Sequence, residues 1–290
     1  MKEKNPLLRL WRGFTRVFYG NTASAIGTTI LLFFILVALF GPMLLPYENV
    51  VDTSQQLLPP SLEHPFGTDN LGRDVFRQLI SGTGDILTVA FLTAVITIVV
   101  AVTLGMASGF MGGVLDKLIS FVTSVFLTIP SLPVFLILAA IFTIEDNLTF
   151  ALILSLFNWA GLARAVRAQV ISLKERDFIQ ICKVMKMSRL HIIFKEIMPN
   201  IASYILINFI IIMKNAITGS VSLMLLGVVA LDPANWGAVL NSAKGNGALV
   251  NSAAYMWLFA PILCIALFQF GVIILTRGLD ETLNPRLRIQ

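Results

Sequence analysis

The sequence predicts an all-α integral membrane protein with about six transmembrane helices. Hydrophobic residues make up 57% of the 290 residues and charged residues only 13%, a balance that is unusual for a water-soluble globular chain. Apolar stretches that approach or exceed the roughly 20 residues needed to cross a bilayer recur along the chain. Their hydrophobicity is continuous, whereas the strands of a membrane β-barrel alternate apolar and polar residues. Helical spans are therefore expected.

Six apolar stretches are predicted to cross the membrane, and the fourth of them is the shortest. Pro130 and Pro133 fall inside the third stretch, where each removes a backbone hydrogen-bond donor, so a kink is expected there. The predicted spans are 25–45, 86–110, 118–144, 148–162, 201–229 and 253–275.

The distribution of basic residues predicts which side of the membrane each connection faces. Five Lys and Arg residues precede the first span, eight lie between the fourth and fifth spans, and three follow the last span. The connections on the opposite side contain only Arg73, Arg77 and Lys244. Because cytoplasmic connections carry an excess of Lys and Arg, both termini and the long basic loop are predicted to be cytoplasmic. The net charge of +5 follows from this topology and does not indicate nucleic-acid binding.

The spans and the orientation together define the predicted organisation of the chain. A cytoplasmic N-terminal segment and the first transmembrane helix precede an extracytoplasmic loop. A larger transmembrane domain follows and ends in a cytoplasmic tail, and it contains one long cytoplasmic loop. The N-terminal segment is 1–24, the first helix is 25–45, and the extracytoplasmic loop is 46–85. The larger transmembrane domain is 86–276 and the tail is 277–290, and the long cytoplasmic loop inside the domain is 164–200.

The residue types inside the predicted spans argue against two other classes of membrane protein. An ion-gradient-driven secondary transporter is expected to carry intramembrane carboxylates or broken helices in inverted repeats, and the six predicted spans contain no Asp or Glu. A membrane-embedded enzyme needs a cluster of reactive side chains around a cavity, and the sequence shows none. His64 and His191 are predicted on opposite sides of the membrane, so they form no metal site. We therefore assign no catalytic residue and no metal ligand.

An external polar loop follows the first span and contains the sequence HPFGTDNLGRD at 64–74. Turn formers and charged residues make up most of this segment, as expected for an ordered loop beside a membrane. Asp69, Arg73 and Asp74 alternate in sign, which predicts a local salt-bridged cap, and contact with a partner protein is the alternative. Asp74 is expected at or near the N-cap of a short interfacial helix that ends near Ile80.

The cytoplasmic loop 164–200 is too long to lack structure of its own. Its apolar residues recur at helical spacing, opposite Lys183, Lys186 and Lys195, which predicts two amphipathic helices with a short break near Ser188. Such helices either lie on the membrane surface or insert into a groove of a cytoplasmic partner, and composition alone favours neither.

Both segments resemble parts of a known family. HPFGTDNLGRD resembles the signature that follows the first membrane helix in ABC importer permeases of the oligopeptide/dipeptide/nickel class, and SLKERDFIQICKVMKMSRLHIIFKEIMPN resembles their ATPase-docking loop. Further matches lie at 130–133, 235–237, 277–280 and 284–288. The resemblance covers nearly the whole chain and is greatest to the C-type permease subunit.

The resemblance implies two sets of functional residues. The external motif comprises His64, Gly67, Thr68, Asp69, Gly72, Arg73 and Asp74. The ATPase-docking (coupling) loop comprises Asp177, Phe178, Gln180, Ile181, Cys182, Lys183, Met185, Lys186, Met187, Ser188 and Pro199.

The middle of the docking loop departs from the family pattern. Residues 180–182 are Gln-Ile-Cys where an acid-Ala-Ala sequence is usual, and Lys186 stands where Gly is expected. Gly at that position would permit a left-handed turn between two short helices. A Lys in the same conformation costs on the order of 1 kcal/mol, and a turn of different shape is the alternative.

The resemblance also implies partners for this chain. The sequence has no G-x-x-x-x-G-K-[ST] phosphate loop, so the chain itself binds no cofactor, and ATP and Mg are expected on one or two separate ABC ATPase subunits. A second, homologous permease subunit would complete a heterodimer in the lipid of a bacterial or archaeal plasma membrane. An extracytoplasmic binding protein would deliver the substrate. Oligopeptides or dipeptides are the expected cargo, and nickel or metal chelates and oligosaccharides are the alternatives.

Two further features are candidates for function. Lys214 and Asn215 lie near the middle of the fifth span, where an ionisable group is a functional candidate, so they are pathway candidates. A cytoplasmic-side break or a contact with the partner permease is the alternative for Lys214. Small residues recur every fourth position and let helices approach closely, either within this chain or between the two permeases. These residues are Ala101, Gly105, Gly109 and Gly113.

Overall fold

The computed structural model describes residues 18–142, 144–229 and 232–283, and this part of the chain is helical without any strand beyond one isolated bridge between Thr68 and Asp74. We number the helices α1 to α9. A short 3-10 turn, Thr53–Gln55, lies between α1 and α2. The helices are α1 Thr22–Leu44, α2 Val75–Met111, α3 Gly113–Thr128, α4 Ser131–Ile141, α5 Asn147–Lys174, α6 Asp177–Val184, α7 Arg189–Leu225, α8 Trp236–Gly245 and α9 Tyr255–Leu283.

Five of these helices, α1, α2, α5, α7 and α9, are long and apolar enough to cross a membrane. A sixth crossing is formed if α3 and α4 are taken together as one broken span. The predicted all-α membrane fold with about six spans is therefore confirmed. The fourth span, predicted over 148–162, belongs to a helix of 28 residues that continues to Lys174.

The third span is broken at the predicted position. Helices α3 and α4 meet at an angle of 86°, and Pro130 is the N-cap of α4. Pro133 lies in the first turn of α4, where a backbone N–H has no intrahelical acceptor, so the ring costs no hydrogen bond there. The buried residues of this pair of helices comprise Thr123 alone, and the exposed apolar residues include Leu118, Phe121, Ile137 and Ile141.

The described chain divides into two compact units. The first contains residues 18–89, 144–147, 217–229 and 232–283. In it, α1 packs against α9, with Gly27 close to the backbone of Leu275. The Asn21 side chain caps α1 and also donates a 2.9 Å hydrogen bond to the carbonyl of Gly278. The start of α1 and the end of α9 therefore lie together.

The core of the first unit is aromatic. The ring of Phe34 lies 5.6 Å from that of Trp236 and 5.5 Å from that of Phe268, each in an edge-to-face arrangement. Trp236 is completely buried, and its Nε1 donates a 3.0 Å hydrogen bond to the carbonyl of Leu79. The indole thus fixes α8 against the first turns of α2.

The second unit contains residues 90–142 and 148–216. Here the second half of α2 packs against α5 at two glycines. A Cβ on Gly105 would lie 2.6 Å from the carbonyl oxygen of Ala163, and one on Gly109 would lie 2.9 Å from that of Arg167. These two members of the small-residue stripe therefore serve packing within this chain. A Cβ added to Gly113 would have no atom within 4 Å, so this glycine is not needed for close packing.

The predicted short interfacial helix is longer than expected. Asp74 is the N-cap, since its Oδ1 accepts a 2.8 Å hydrogen bond from the backbone N–H of Arg77. The helix does not end near Ile80, however, and runs on to Met111 as α2. Small residues follow Ile80 in the sequence, and Gly82 among them is used in packing, because it lies directly against the carbonyl of Ala234. The prediction of a separate helix was wrong.

The second amphipathic helix predicted in the loop 164–200 is also continuous with a span. Helix α7 begins at Arg189 and extends over 37 residues. It contains a π-helical segment, Ile192–Ile197, directly before Met198 and Pro199. Because proline provides no N–H and its ring clashes with the preceding turn, a wider turn lets the helix pass this residue without ending.

Candidate functional site

Helix α6 has one face turned inward and one face turned outward. Ile179 is completely buried, and Cys182, one turn on, is also buried in a cluster with Ile192 and Ile197 of α7. This inner face holds α6 on the second unit. The outer residues Ile181, Val184 and Met185 of this segment are exposed.

The turn after α6 has a left-handed residue at Lys186, whose φ is 56°. The N–H of Lys186 bonds to the carbonyl of Lys183 at 3.0 Å, and that of Met187 bonds to the carbonyl of Cys182 at 3.1 Å. This pair of hydrogen bonds is a Schellman motif, which normally has Gly at the left-handed position. The left-handed turn anticipated at this position is confirmed, with Lys in the place of Gly.

The next helix begins two residues after the turn. Ser188 is its N-cap, and the Ser188 hydroxyl accepts a 3.2 Å hydrogen bond from the N–H of His191. The break between the two helices therefore lies near Ser188, as predicted from the sequence. Met187 is half-buried against the cluster that contains Cys182, which fixes the angle between α6 and α7.

The structure sorts the predicted docking residues by exposure. We call the exposed ones the docking surface: Asp177, Phe178, Ile181, Lys183, Met185, Lys186, Ser188 and Pro199. Gln180 and Met187 are half-buried, and Cys182 faces inward. The Gln180 side chain donates to the carbonyl of Lys174 at 2.9 Å and so closes the end of α5. Exposed Val184 and Leu190, which the sequence did not single out as site residues, extend the apolar part of this surface.

The external motif is built around the carboxylate of Asp69, which is completely buried. One oxygen accepts from the backbone N–H groups of Leu71 at 2.8 Å and Arg73 at 2.9 Å. The other accepts from Nε of Arg73 at 2.7 Å and Nε2 of Gln78 at 2.9 Å. Both oxygens are thus saturated, and the predicted local salt bridge is present.

A second set of contacts closes the same loop around His64. Its Nδ1 lies 2.8 Å from the carboxylate of Asp74, and its Nε2 lies 3.1 Å from Oε1 of Gln55. The Thr68 hydroxyl donates to the carbonyl of Gln55 at 2.5 Å and accepts from the N–H of Leu58 at 2.8 Å. The motif therefore braces the residues that precede it.

The two glycines of the motif have positive φ, 73° at Gly67 and 78° at Gly72. Each also lies directly against a backbone carbonyl, that of Leu58 for Gly67 and that of Asp52 for Gly72. A side chain would therefore meet both conformational strain and a clash. All seven motif residues therefore contribute to one frame of contacts in the loop between α1 and α2.

A polar cluster in the second unit has no counterpart in the sequence-based site. Arg167 of α5 holds Asp116 of α3 with two hydrogen bonds, at 2.5 Å from Nε and 2.7 Å from Nη2. The hydroxyl of Ser108 also donates to Asp116, and that of Ser120 lies 3.3 Å away. Asp116 and Arg167 lie just outside the predicted third and fourth spans, so the pairing was not anticipated. The sequence signal for this pair was an acidic residue, Asp116, just before the third span and a series of basic residues, including Arg167, after the fourth.

The remaining predicted candidates lie on α7. Lys214 is half-buried and Asn215 is exposed, so their pathway role stays a prediction. In the described residues, no group of three or more His, Cys, Asp or Glu side chains is arranged to hold a metal ion.

These features define a class of protein before any comparison is made. The chain is a multi-pass membrane protein with long apolar helices, a tightly hydrogen-bonded loop between α1 and α2, and an exposed short helix between two spans. Comparison then gives the family. Residues 101–289 match the family of binding-protein-dependent transport system inner membrane components, and the chain belongs to it. Residues 9–60 match the N-terminal transmembrane domain of oligopeptide transport permease C.

Named relatives extend over nearly the whole chain. The oligopeptide transport system permease protein OppC of Bacillus subtilis is 29% identical and aligns with 99% of this chain and 93% of its own length. The dipeptide transport system permease proteins DppC of Bacillus subtilis and Alkalihalophilus pseudofirmus are 31% and 32% identical, and they align with 98% and 96% of this chain and with 88% and 90% of their own lengths. The chain is therefore a membrane permease subunit of an ABC transporter.

Proposed function

We propose that this permease subunit forms half of the translocation pathway of an ATP-driven importer for oligopeptides or dipeptides. A second homologous permease forms the other half, one or two ABC ATPases bind ATP and Mg, and an extracytoplasmic binding protein delivers the cargo. The membrane is a bacterial or archaeal plasma membrane. The observation that carries the proposal is the geometry of α6, a short helix anchored on one face and apolar and exposed on the other.

The shape of α6 suits a helix that inserts into a groove of a partner. Its exposed apolar residues, Ile181, Val184 and Met185, are bordered by exposed Lys183 and Lys186. Apolar anchors within a polar rim are typical of helix-in-groove recognition. Such a basic rim would suit an acidic border on the groove of the ATPase.

Movement of α6 would reach the membrane through α7. Ile179 and Cys182 pack in one cluster with Ile192 and Ile197 of α7, and the Schellman turn fixes the connection between the helices. When ATP closes the two ATPases, a displacement of α6 would therefore tilt α7 as a unit. Such a tilt exposes the pathway to one side of the membrane at a time, which is alternating access.

The second permease has a surface available on α3 and α4. Leu118 and Phe121 of α3 and Ile137 and Ile141 of α4 are all exposed. The second permease would cover these exposed apolar residues of the bent pair of helices.

The relatives support the proposed cargo, because they are named for oligopeptide and dipeptide transport. Nickel or metal chelates and oligosaccharides are the alternative cargoes of the same architecture. The binding protein discriminates among them, so purified binding protein that retains a peptide, a metal complex or a sugar would decide the class.

The docking role is tested with two valines of similar exposure. Val184, on α6, is 83% exposed, and Val250, in the loop before α9, is 91% exposed. Val184→Glu is expected to abolish co-purification of the ATPase and ATP-dependent peptide uptake in proteoliposomes, as is deletion of residues 178–190. Val250→Glu should retain both co-purification of the ATPase and peptide uptake. Normal uptake with Val184→Glu and with the deletion would refute the docking role.

A further inference from the structure

The second unit contains a polar cavity of about 260 Å³ between α3, α5 and the end of α2. Liquid water occupies roughly 30 Å³ per molecule, so the cavity accommodates several waters or a small polar group. Ser108 and Thr123 are buried at its base, whereas Ser124 and Arg164 are exposed at its mouth. Its polar lining is Ser108, Ser120, Thr123, Ser124, Arg164 and Arg167.

Helical spacing produces this arrangement. Arg164 and Arg167 are three residues apart on α5 and therefore share one face. Ser120, Thr123 and Ser124 share one face of α3 in the same way. A row of hydroxyls thus faces a pair of guanidinium groups, in a chain whose helices otherwise present mainly apolar residues.

The charges in the cavity do not cancel. Asp116 is engaged by two hydrogen bonds from Arg167, so this pair is neutral as a whole. Arg164 donates one 3.0 Å hydrogen bond, from Nη2 to the hydroxyl of Ser124. Within the described ranges, Arg164 forms no ion pair. One positive charge and most of the donors of its guanidinium are therefore available to a ligand.

We propose that this cavity is a weak carboxylate-binding site in which Arg164 receives the carboxylate of the transported peptide. The inference rests on the proposed function, because it names the chemical group by which the cargo contacts the permease. A guanidinium matches a carboxylate with two parallel hydrogen bonds. The exposed position of Arg164 keeps the affinity low, as a site on a translocation pathway requires, since the cargo has to leave.

The position of the cavity along α5 agrees with this role. Arg164 and Arg167 lie on the half of α5 that leads to the docking helix α6, which is the predicted cytoplasmic side. Helix α3, which provides the hydroxyls, also carries the open surface proposed to meet the second permease. The carboxylate site would thus line the pathway near its cytoplasmic end.

The test uses a single cysteine in the cavity of the purified transporter complex. Cys182 and Cys264 are replaced by Ala, and Ser120→Cys is introduced. Its modification rate is then measured with the anionic sulfonatoethyl and the cationic trimethylammonioethyl methanethiosulfonates, by mass spectrometry of this chain. We expect Arg164→Gln to slow the anionic reagent about fivefold relative to the cationic one and Arg164→Lys to retain most of the preference, because only Lys keeps the charge. Ser252→Cys, in the loop before α9, is the control and should respond to neither variant.

Ligand protection identifies the group that binds. Millimolar Ala-Ala dipeptide should slow modification of Ser120→Cys at least threefold, whereas Ala-Ala amide should not, and Arg164→Gln should abolish the protection. The proposal would be overturned if the acid and the amide protected the cysteine equally. It would also be overturned if neither reagent modified the cysteine of Ser120→Cys or that of Ser124→Cys. Peptide uptake by the wild-type complex is measured in parallel, because its absence would refute the proposed function instead.

Discussion

Lys186 occupies a left-handed position that ordinarily favours glycine. Its φ of 56° brings Cβ too close to the following carbonyl, at a cost of roughly 1 kcal/mol. Lys186→Gly is therefore expected to stabilise the turn by up to about 1 kcal/mol and to leave assembly intact. Hydrogen exchange of residues 182–190 in the purified complex measures the effect.

A second lysine in the same helix provides the control for this substitution. Lys183 is exposed and lies inside α6, where glycine destabilises a helix by about 1 kcal/mol. Lys183→Gly should accordingly speed exchange in the same residues. If both substitutions changed exchange in the same direction, the left-handed strain at Lys186 would not be the cause.

The buried carboxylate of Asp69 cannot be replaced by its amide. Each of its oxygens accepts two hydrogen bonds, so either orientation of an Asn side chain directs an NH₂ group at two donors. Asp69→Asn is therefore expected to destabilise the first unit by about 3 to 5 kcal/mol, seen as a lower melting temperature and lower expression in membranes.

Asp52 provides the contrast for Asp69. Its exposed carboxylate accepts the hydroxyl and the backbone N–H of Ser54, and the hydroxyl is the main reason its pKa is lowered. Asp52→Asn retains an acceptor oxygen for Ser54, so the melting temperature should hardly change. A loss of stability as large as that of Asp69→Asn would contradict the buried-charge argument.

At the scale of the helix, close approach between α2 and α5 depends on glycine. Gly105→Ala would put a methyl group 2.6 Å from the carbonyl of Ala163 and 2.8 Å from Cβ of Val166, so the helices must separate. We expect a loss of about 1 to 3 kcal/mol. On the exposed side of α5, Gly161→Ala meets only Leu127, at 4.0 Å, and should be neutral or stabilising by up to about 1 kcal/mol. Thermal unfolding of the two purified variants compares them directly.

Helices that face lipid along most of their length could be predicted from composition, and contacts made in three dimensions could not. The continuous apolar runs placed α1 and α9 nearly correctly. The start of α2 was missed because the sequence SGTGD at 81–85 resembles a break, whereas Gly82 there is required for contact with Ala234. The pairing of Asp116 with Arg167 spans 51 residues and follows from the packing of α3 on α5, which no local pattern encodes.

Two observations at one end of α1 predict the orientation of the molecule in the membrane. The Asn21 side chain bonds the carbonyl of Gly278, so the start of α1 and the end of α9 lie on the same side of the membrane. The basic residues before α1 and after α9 predict that this side is cytoplasmic.

Single cysteines test this topology in intact cells, in a background with Cys182 and Cys264 replaced by Ala. Ser252→Cys is exposed in the connection before α9, and Ser188→Cys is exposed beside the docking helix. In cells that do not express the ATPase, which would cover Ser188, a membrane-impermeant maleimide should label Ser252→Cys in intact cells and Ser188→Cys only after the membrane is permeabilised. An odd number of crossings separates the two positions. Labelling of Ser188→Cys in intact cells would place the docking surface outside. No ATPase could reach it there, and the proposed coupling mechanism would fail with it.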